Sequence, residues 1–398
     1  MNIFVIPSWY PTQESPVTGR FFKEQAILYA NGYKQDNLAI SRWGQGEFII
    51  DLMAPLTAIK KLFRFISAKK FENSLAENVA EFYTPAVEIR PRKYAGDLSS
   101  ILNANISNFQ KAQHKYGNID IVHAHVSFPA GFIAAKIAQT FNIPYVLTEH
   151  MGPFPFPFYL ENGRLLKRLQ IAFLEADRVI AVSNFLKNEM SRYDVITDEV
   201  IPDFIDDDFF SSEKRASVTG FVFFALGRIA KEKGIDVLLK AFAIAHTQNP
   251  DMVLKIGGIG ADMLEMMDVS KRLGIDDNIE WLGELDVLSV KTNLQECDVF
   301  ITASTYETFG VVVSEALCCG KPIISTMCGG PEDMLEQTNS VLVPIGDASA
   351  MAAAMCKIEE EIQNFDSTAI RSKHISEFGK NTVTAKLREV YLSILRDD

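Results

Sequence analysis

Two glutamates in one stretch, Ser304-Thr-Tyr-Glu307-Thr-Phe-Gly310-Val-Val-Val-Ser-Glu315-Ala-Leu-Cys-Cys-Gly320, carry the first chemical signal in this sequence. Asp298–Thr302 upstream and Lys321–Thr326 downstream are apolar enough for short buried strands, so the whole predicts one βαβ unit of a parallel sheet. Glu307 and Gly310 then fall in the loop at the carboxyl end of a strand, where open α/β sheets hold ligands. A helix beginning between Phe309 and Val311 would turn free backbone N–H groups and a positive dipole end toward that loop, a seat for phosphate. Gly310 removes a side chain where a ligand would approach the backbone. Glu315 shares a helical face with Val311, Val312, Cys318 and Cys319, so a hydroxyl or cation partner is expected for it. The plainer alternative is a solvated Glu307 and a Glu315 that reaches the surface.

Basic residues of the right kind lie upstream. Gly227-Arg228-Ile-Ala-Lys-Glu-Lys233-Gly234 follows the apolar run Gly220–Leu226 and precedes an amphipathic segment from Ile235 to Thr247. An arginine fork and a lysine point charge at a strand's carboxyl end suit a diphosphate, although a lone basic loop is more often simply solvated. Gly257-Gly258-Ile-Gly260 is a weak dinucleotide signature because the full GxGxxG and its following acid are missing.

In the first half, Asn2–Pro7 predicts a strand and Arg20–Asn31 a helix ended by Gly32. Thr18-Gly19 is a helix cap that could also lie against a phosphate or sugar. Asp120-Ile-Val-His123-Ala-His125 and Tyr145-Val-Leu-Thr-Glu149-His150 are strands ending in polar groups. His150 is a candidate for sugar contact or proton handling. A metal on His123 and His125 lacks an evident third ligand. Met151–Tyr159 alternates proline with phenylalanine and predicts a rigid aromatic loop, a candidate acceptor lining. Ser183-Asn184 caps a helix from Phe185. Asp206-Asp207-Asp208 reads as a turn with solvated acids rather than a metal motif.

The 398 residues exceed one ordinary core, which predicts two domains with a polar linker at Ser211–Thr219. A net charge of −12 argues against general nucleic-acid binding. Neither a signal peptide nor a run of transmembrane length is evident. The five cysteines fall in the second half without a CxxC pair, which fits a reducing cytoplasm and, by spacing, argues against a structural zinc site. Lys60–Phe71 stands apart, with five cations interleaved with Leu62, Phe63, Phe65, Ile66 and Phe71 and no acid. It is either a surface helix with solvated lysines or a contact for the inner face of the plasma membrane.

Taken in order, Gly227-Arg228, Lys233-Gly234, Gly257–Gly260, Trp281-Leu282-Gly283, Glu307–Glu315 and Gly329-Gly330 resemble the donor domain of retaining glycosyltransferases of family 4. The resemblance is strong over 221–346. It continues more weakly through the first half, where Ser8-Trp9-Tyr10-Pro11 and Gly19–Gln25 look like the opening of bacterial polysaccharide-assembly members. It implies an α/β GT-B fold of two Rossmann-like domains facing each other across a cleft. Residues 1–210 would be the acceptor domain and 211–380 the donor domain, with 381–398 a helix returning to the first. It also implies a nucleotide-sugar co-substrate, UDP-linked first and GDP-mannose second, a glycan or lipid-linked acceptor, and no bound metal. By that resemblance Arg228 and Lys233 hold the diphosphate. Glu315 takes the ribose, the backbone of Thr308, Phe309, Gly310 and Val311 the phosphates, and Glu307 and His150 the sugar. Gly19 lies near acceptor and phosphate, Gly258 in the donor loop, and Leu282 beside the base. Two departures are the Pro202-Asp203-Phe204-Ile205-Asp206 turn and the missing proline before Ser304. A nucleotide-sugar epimerase and a non-catalytic sugar-nucleotide binder are the competing readings.

Overall fold

The computed structural model describes residues 1–12, 18–51, 54–90, 98–213 and 220–397. Parts of the Ser8–Gly19 loop and of the linker at 211–219 lie outside them. The chain divides into two compact units: 1–182, 187–201 and 384–398 form the first, and 183–186 with 202–383 the second. The division at Ile201/Pro202 precedes the 210/211 boundary expected from composition, because Asp207 and Phe210 offer their backbone carbonyls to Arg371 of the second unit.

In the first unit an eight-stranded sheet runs, edge to edge, through Glu199–Val200, Arg178–Ala181, Tyr145–Glu149, Ile121–His125, Asn2–Pro7, Asn37–Arg42, Val79–Tyr83 and Phe71–Ala76. Every pairing is parallel except the last. The central strands are buried along their whole length, which is why they read as continuous apolar runs rather than alternating ones. The order reverses between Ile121–His125 and Asn2–Pro7, so the loops after these two strands flank the topological switch point.

The second unit carries a six-stranded, wholly parallel sheet in the order Ile279–Gly283, Met252–Gly257, Phe221–Leu226, Val299–Thr302, Ile323–Thr326, Ser340–Val343. Helices Ile235–His246 and Ala348–Glu360 cover one face, burying Leu238, Leu239, Phe242, Met351 and Met355 against Phe223, Leu254 and Ile301. Each such side chain contributes about 1.5–3 kcal/mol by leaving water. The switch point lies between Phe221–Leu226 and Val299–Thr302.

Three local expectations need correction. Gly32 is the last residue of helix Arg20–Gly32 and the cap is Tyr33, at φ −131° and ψ 71°, so no left-handed glycine ends this helix. The 60–71 segment is not one element: helix Pro55–Ser67 stops, and Phe71 opens the antiparallel edge strand, stacked on Tyr83 at 4.7 Å. The turn at Asp206, Asp207 and Asp208 keeps Asp208 86% and Asp206 42% exposed, but Asp207 is buried and all three face one cation. Lys380 Nζ reaches all three, at 2.8, 3.5 and 2.6 Å, so the cluster anchors the start of the last helix, Lys380–Asp397.

Candidate active site

The second unit's loops line up at the carboxyl edge of its sheet in strand order, locked together by backbone contacts. Gly258 N donates to Gly283 O at 2.6 Å, Gly227 N to Gly257 O at 3.1 Å and Ile229 N to Ile259 O at 3.0 Å. Thr305 N donates to Glu232 O at 2.8 Å, and Gly330 N to Glu307 O at 2.8 Å. The weak GGIG signal therefore has a packing cause: a Cβ on Gly258, at φ +119°, would sit 1.9 Å from Gly227 O. Leu282 lies at the carboxyl end of the edge strand beside this loop, partly exposed.

Lys233 and Glu307 come from the two loops at the switch point. Lys233 Nζ meets Glu307 Oε1 at 2.5 Å, with both side chains 23% exposed. Ser304 Oγ donates to the same oxygen at 2.7 Å, a partner that sequence did not single out although it lies within the quoted stretch. Glu307 is thus a held, charge-paired group rather than a solvated one. Arg228 is 69% exposed and pairs with Glu232 of its own loop at 2.5 Å. The Glu232 carboxyl is held below its ordinary range by its own backbone hydrogen bond and by Arg228.

Helix Val311–Cys318 begins at Gly310, which sits at φ +93° with no side chain capping the turn. Among its reasons to be glycine is a fold-internal one: a Cβ there would lie 2.8 Å from Pro331 Cγ. Phe309 is buried and packs toward Phe378, and the Thr308 carbonyl accepts from Ser183 Oγ at 2.5 Å. Ser183 also caps its own helix through Leu186 N at 3.0 Å. Asn184 N donates to Asp333 Oδ2 at 2.6 Å, and Phe185 packs edge-on to Tyr306 at 5.1 Å. Residues 183–186, read from sequence as an N-terminal-half cap, therefore shape the second unit's loops. Glu315 is half-buried one turn into the helix. Beneath it Ser314 Oγ is 2.8 Å from Nε2 of buried His374, whose pKa burial and then Arg371 lower to about 4. The thiols of Cys297 and Cys319 are pushed up to about 12, burial being the main cause, so neither is a nucleophile at neutral pH.

In the first unit Gly19 caps helix Arg20–Gly32 at φ +67°. His150 Nε2 lies 3.0 Å from His125 Nδ1, with Phe22 edge-on at 5.0 Å. Fully buried Glu149 fixes this corner: Oε1 accepts from His150 N and Met151 N at 2.9 Å each, and Oε2 from Ser127 N at 3.0 Å. His123 Nδ1 meets Tyr391 Oη at 2.6 Å and Nε2 meets Thr148 Oγ1 at 2.8 Å. Burial, followed by His150, lowers the His123 pKa to about 3; His125 is lowered too, by burial first and then its histidine neighbours. These are neutral rings whose tautomers are set by their partners. Among the described residues no group of three or more His, Cys, Asp or Glu side chains is arranged for a metal ion.

Two family profiles match: "Glycosyltransferase Family 4" over residues 68–209 and "Glycosyl transferases group 1" over residues 206–377. A curated relative, an uncharacterized glycosyltransferase of Methanocaldococcus jannaschii, is 25% identical over 336 residues, covering 83% of this chain and 89% of its own. Sucrose-phosphate synthase from Thermosynechococcus elongatus superposes with a TM-score of 0.75 at 18% identity, over 100% of both chains. Anabaena HepE in complex with UDP gives 0.70 at 18% identity, over 99% of this chain and 100% of its own. The two Rossmann-like units, each with its loops at the switch point of a parallel sheet, define the GT-B class. The chain belongs to the group 1 glycosyltransferases of family 4. No described helix is long and apolar enough to cross a membrane.

Proposed function

We propose that this protein transfers a hexose from a nucleotide-sugar donor to a glycan or lipid-linked acceptor, with retention of anomeric configuration, without a bound metal, in the cytoplasm. The observation that carries the reading is the Lys233–Glu307 pair at 2.5 Å beside the uncapped start of helix Val311–Cys318. A diphosphate arriving there meets a lysine and a row of backbone N–H groups, which together offset its charge. As the glycosidic C–O bond breaks, the electron pair goes to the leaving phosphate oxygen. The acceptor oxygen bonds to the anomeric carbon on the same face, and its proton passes to that phosphate. No protein nucleophile is assigned.

Within this reading Lys233 and Arg228 bind the diphosphate, Arg228 by leaving Glu232. The backbone from Thr308 through Phe309 and Gly310 to Val311 faces the phosphates, and Glu315 takes the ribose hydroxyls. Gly258 and Leu282 border the base, and Glu307, released from Lys233, accepts from sugar hydroxyls. His150 is assigned to the donor sugar, and Gly19 to the loop near acceptor and phosphate. UDP bound to the structurally similar HepE favours a UDP-sugar, with GDP-mannose the second choice.

The test is a thermal-shift and turnover screen over nucleotide sugars, since a ligand of the native state raises the unfolding midpoint. Lys233→Ala, Arg228→Ala and Glu315→Ala should each weaken donor binding, by about tenfold or more for a charge-assisted contact. Glu307→Gln should lower turnover more than binding. Unchanged donor affinity in all three alanine variants would overturn the site assignment. An epimerised sugar nucleotide as sole product would replace transfer by epimerisation.

A further inference from the structure

Helix Pro55–Ser67 carries an apolar stripe that the described residues leave exposed. Leu56 is 79% exposed, Phe63 and Ile66 70% each, and Ile59 and Leu62 are exposed as well. Their spacing of three and four places them on one side of the helix. The opposite side is the one that packs: Ala58 and Phe65 are partly covered, with Phe65 edge-on to buried Phe48 at 5.7 Å. Lys60 and Arg64 are exposed along the flank of the stripe, Lys61 is partly covered on the side of Ala58 and Phe65, and Lys69 and Lys70 follow. No acidic residue occurs between Pro55 and Phe71, in a chain of net charge −12.

We propose that this helix docks the protein on an anionic lipid bilayer, its apolar stripe lying in the headgroup–acyl boundary and its cations among the headgroup phosphates. A helix of 13 residues is about 20 Å long and about 10 Å across, so the accessible surface of its one apolar side falls short of the roughly 800 Å² per partner of a stable protein interface. A second copy meeting it symmetrically would also set five cations against five. A bilayer has neither difficulty: it accepts a narrow apolar strip at shallow depth, and its negative surface matches the flank. The docking rests on this surface alone and stands or falls separately from the donor-site assignment.

The test is co-sedimentation of the intact protein with vesicles of phosphatidylcholine alone and of phosphatidylcholine mixed with phosphatidylglycerol, at low and high salt. The expected result is binding to the anionic vesicles that weakens with salt. Lys60→Gln with Arg64→Gln should lower the partition coefficient by on the order of 25-fold, about fivefold per cation. Phe63→Asp should abolish sedimentation while far-UV circular dichroism and the thermal midpoint stay at wild-type values. Equal binding to both vesicle types, or wild-type binding by the folded Phe63→Asp protein, would overturn the proposal. So would a dimer in light scattering that Phe63→Asp dissolves, with no vesicle binding.

Discussion

Acidification should weaken helix Val311–Cys318 through one histidine. His374 is 4% exposed, stacked on Phe378 at 5.1 Å, and 2.8 Å from Ser314 Oγ on helix Val311–Cys318. Its pKa lies at about 4 in the fold against an ordinary 6.5, because burial and the neighbouring Arg371 both disfavour the imidazolium. The folded value is the lower one, so the fold binds the neutral ring. The stability this gives is complete above the unfolded pKa and is lost as the pH falls from 6.5 towards 4. Between about pH 7.5 and about pH 5.5 the linkage amounts to about 1.3 kcal/mol, and the whole shift to about 3 kcal/mol. The assay is urea unfolding of wild type and His374→Gln at both pH values. Trp281, packed on the second unit's core, is the probe, with Trp9 and Trp43 replaced by phenylalanine. Wild type should lose about 1.3 kcal/mol more than the variant over that interval, since the other histidines contribute equally to both and cancel. Amide exchange across 311–318 should quicken in wild type alone at the lower pH. Identical pH dependence in the two proteins would refute the argument, because it would mean that His374 titrates alike folded and unfolded.

Gly310→Ala puts a side chain at φ +93° and a Cβ 2.8 Å from Pro331 Cγ. Left-handed strain of about 1–2 kcal/mol and crowding of about 1–3 kcal/mol should together lower unfolding free energy by at least about 2 kcal/mol. A change near zero in denaturant titration would show that Pro331 simply moves aside. Tyr391→Phe takes the partner from His123 Nδ1 while leaving Thr148 on Nε2. A loss of about 1–3 kcal/mol is expected in unfolding experiments, with nucleotide affinity unchanged. Full stability would contradict the burial of that nitrogen.

Much of the frame was legible because buried parallel strands are apolar along their length and helices announce their period. Val299–Thr302, the turn at Glu307 and helix Val311–Cys318 fall where the pattern of residues put them. The adjacency of Lys233 and Glu307 followed only from the family's ordered motifs, since nothing local tells which loops a sheet will set side by side. Other features depend on partners far away in sequence. Nothing local in the aspartates at 206–208 tells that Lys380 will face all three and that Asp207 will be buried. Gly310 shows a second, fold-internal reason to be glycine only when Pro331 is found against it. Ser304 and His374 gave no periodic signal, because a hydroxyl or imidazole that braces another group needs proximity and not spacing.

The path of the backbone sets a rule for recombining this enzyme with its relatives. The sequence crosses between units three times, at 182/183, 186/187 and 201/202, and leaves the second again at 383/384. A chimera spliced once at the middle would strand the Ser183–Leu186 segment, which holds Thr308, Asp333 and Tyr306, with the wrong parent. The same splice would send Tyr391 and Arg388 away from the His123 and Asp36 that receive them. The second unit is transplantable here only as a discontinuous cassette, 183–186 together with 202–383, with the host keeping its own 384–398 and the last helix joined within its first turn.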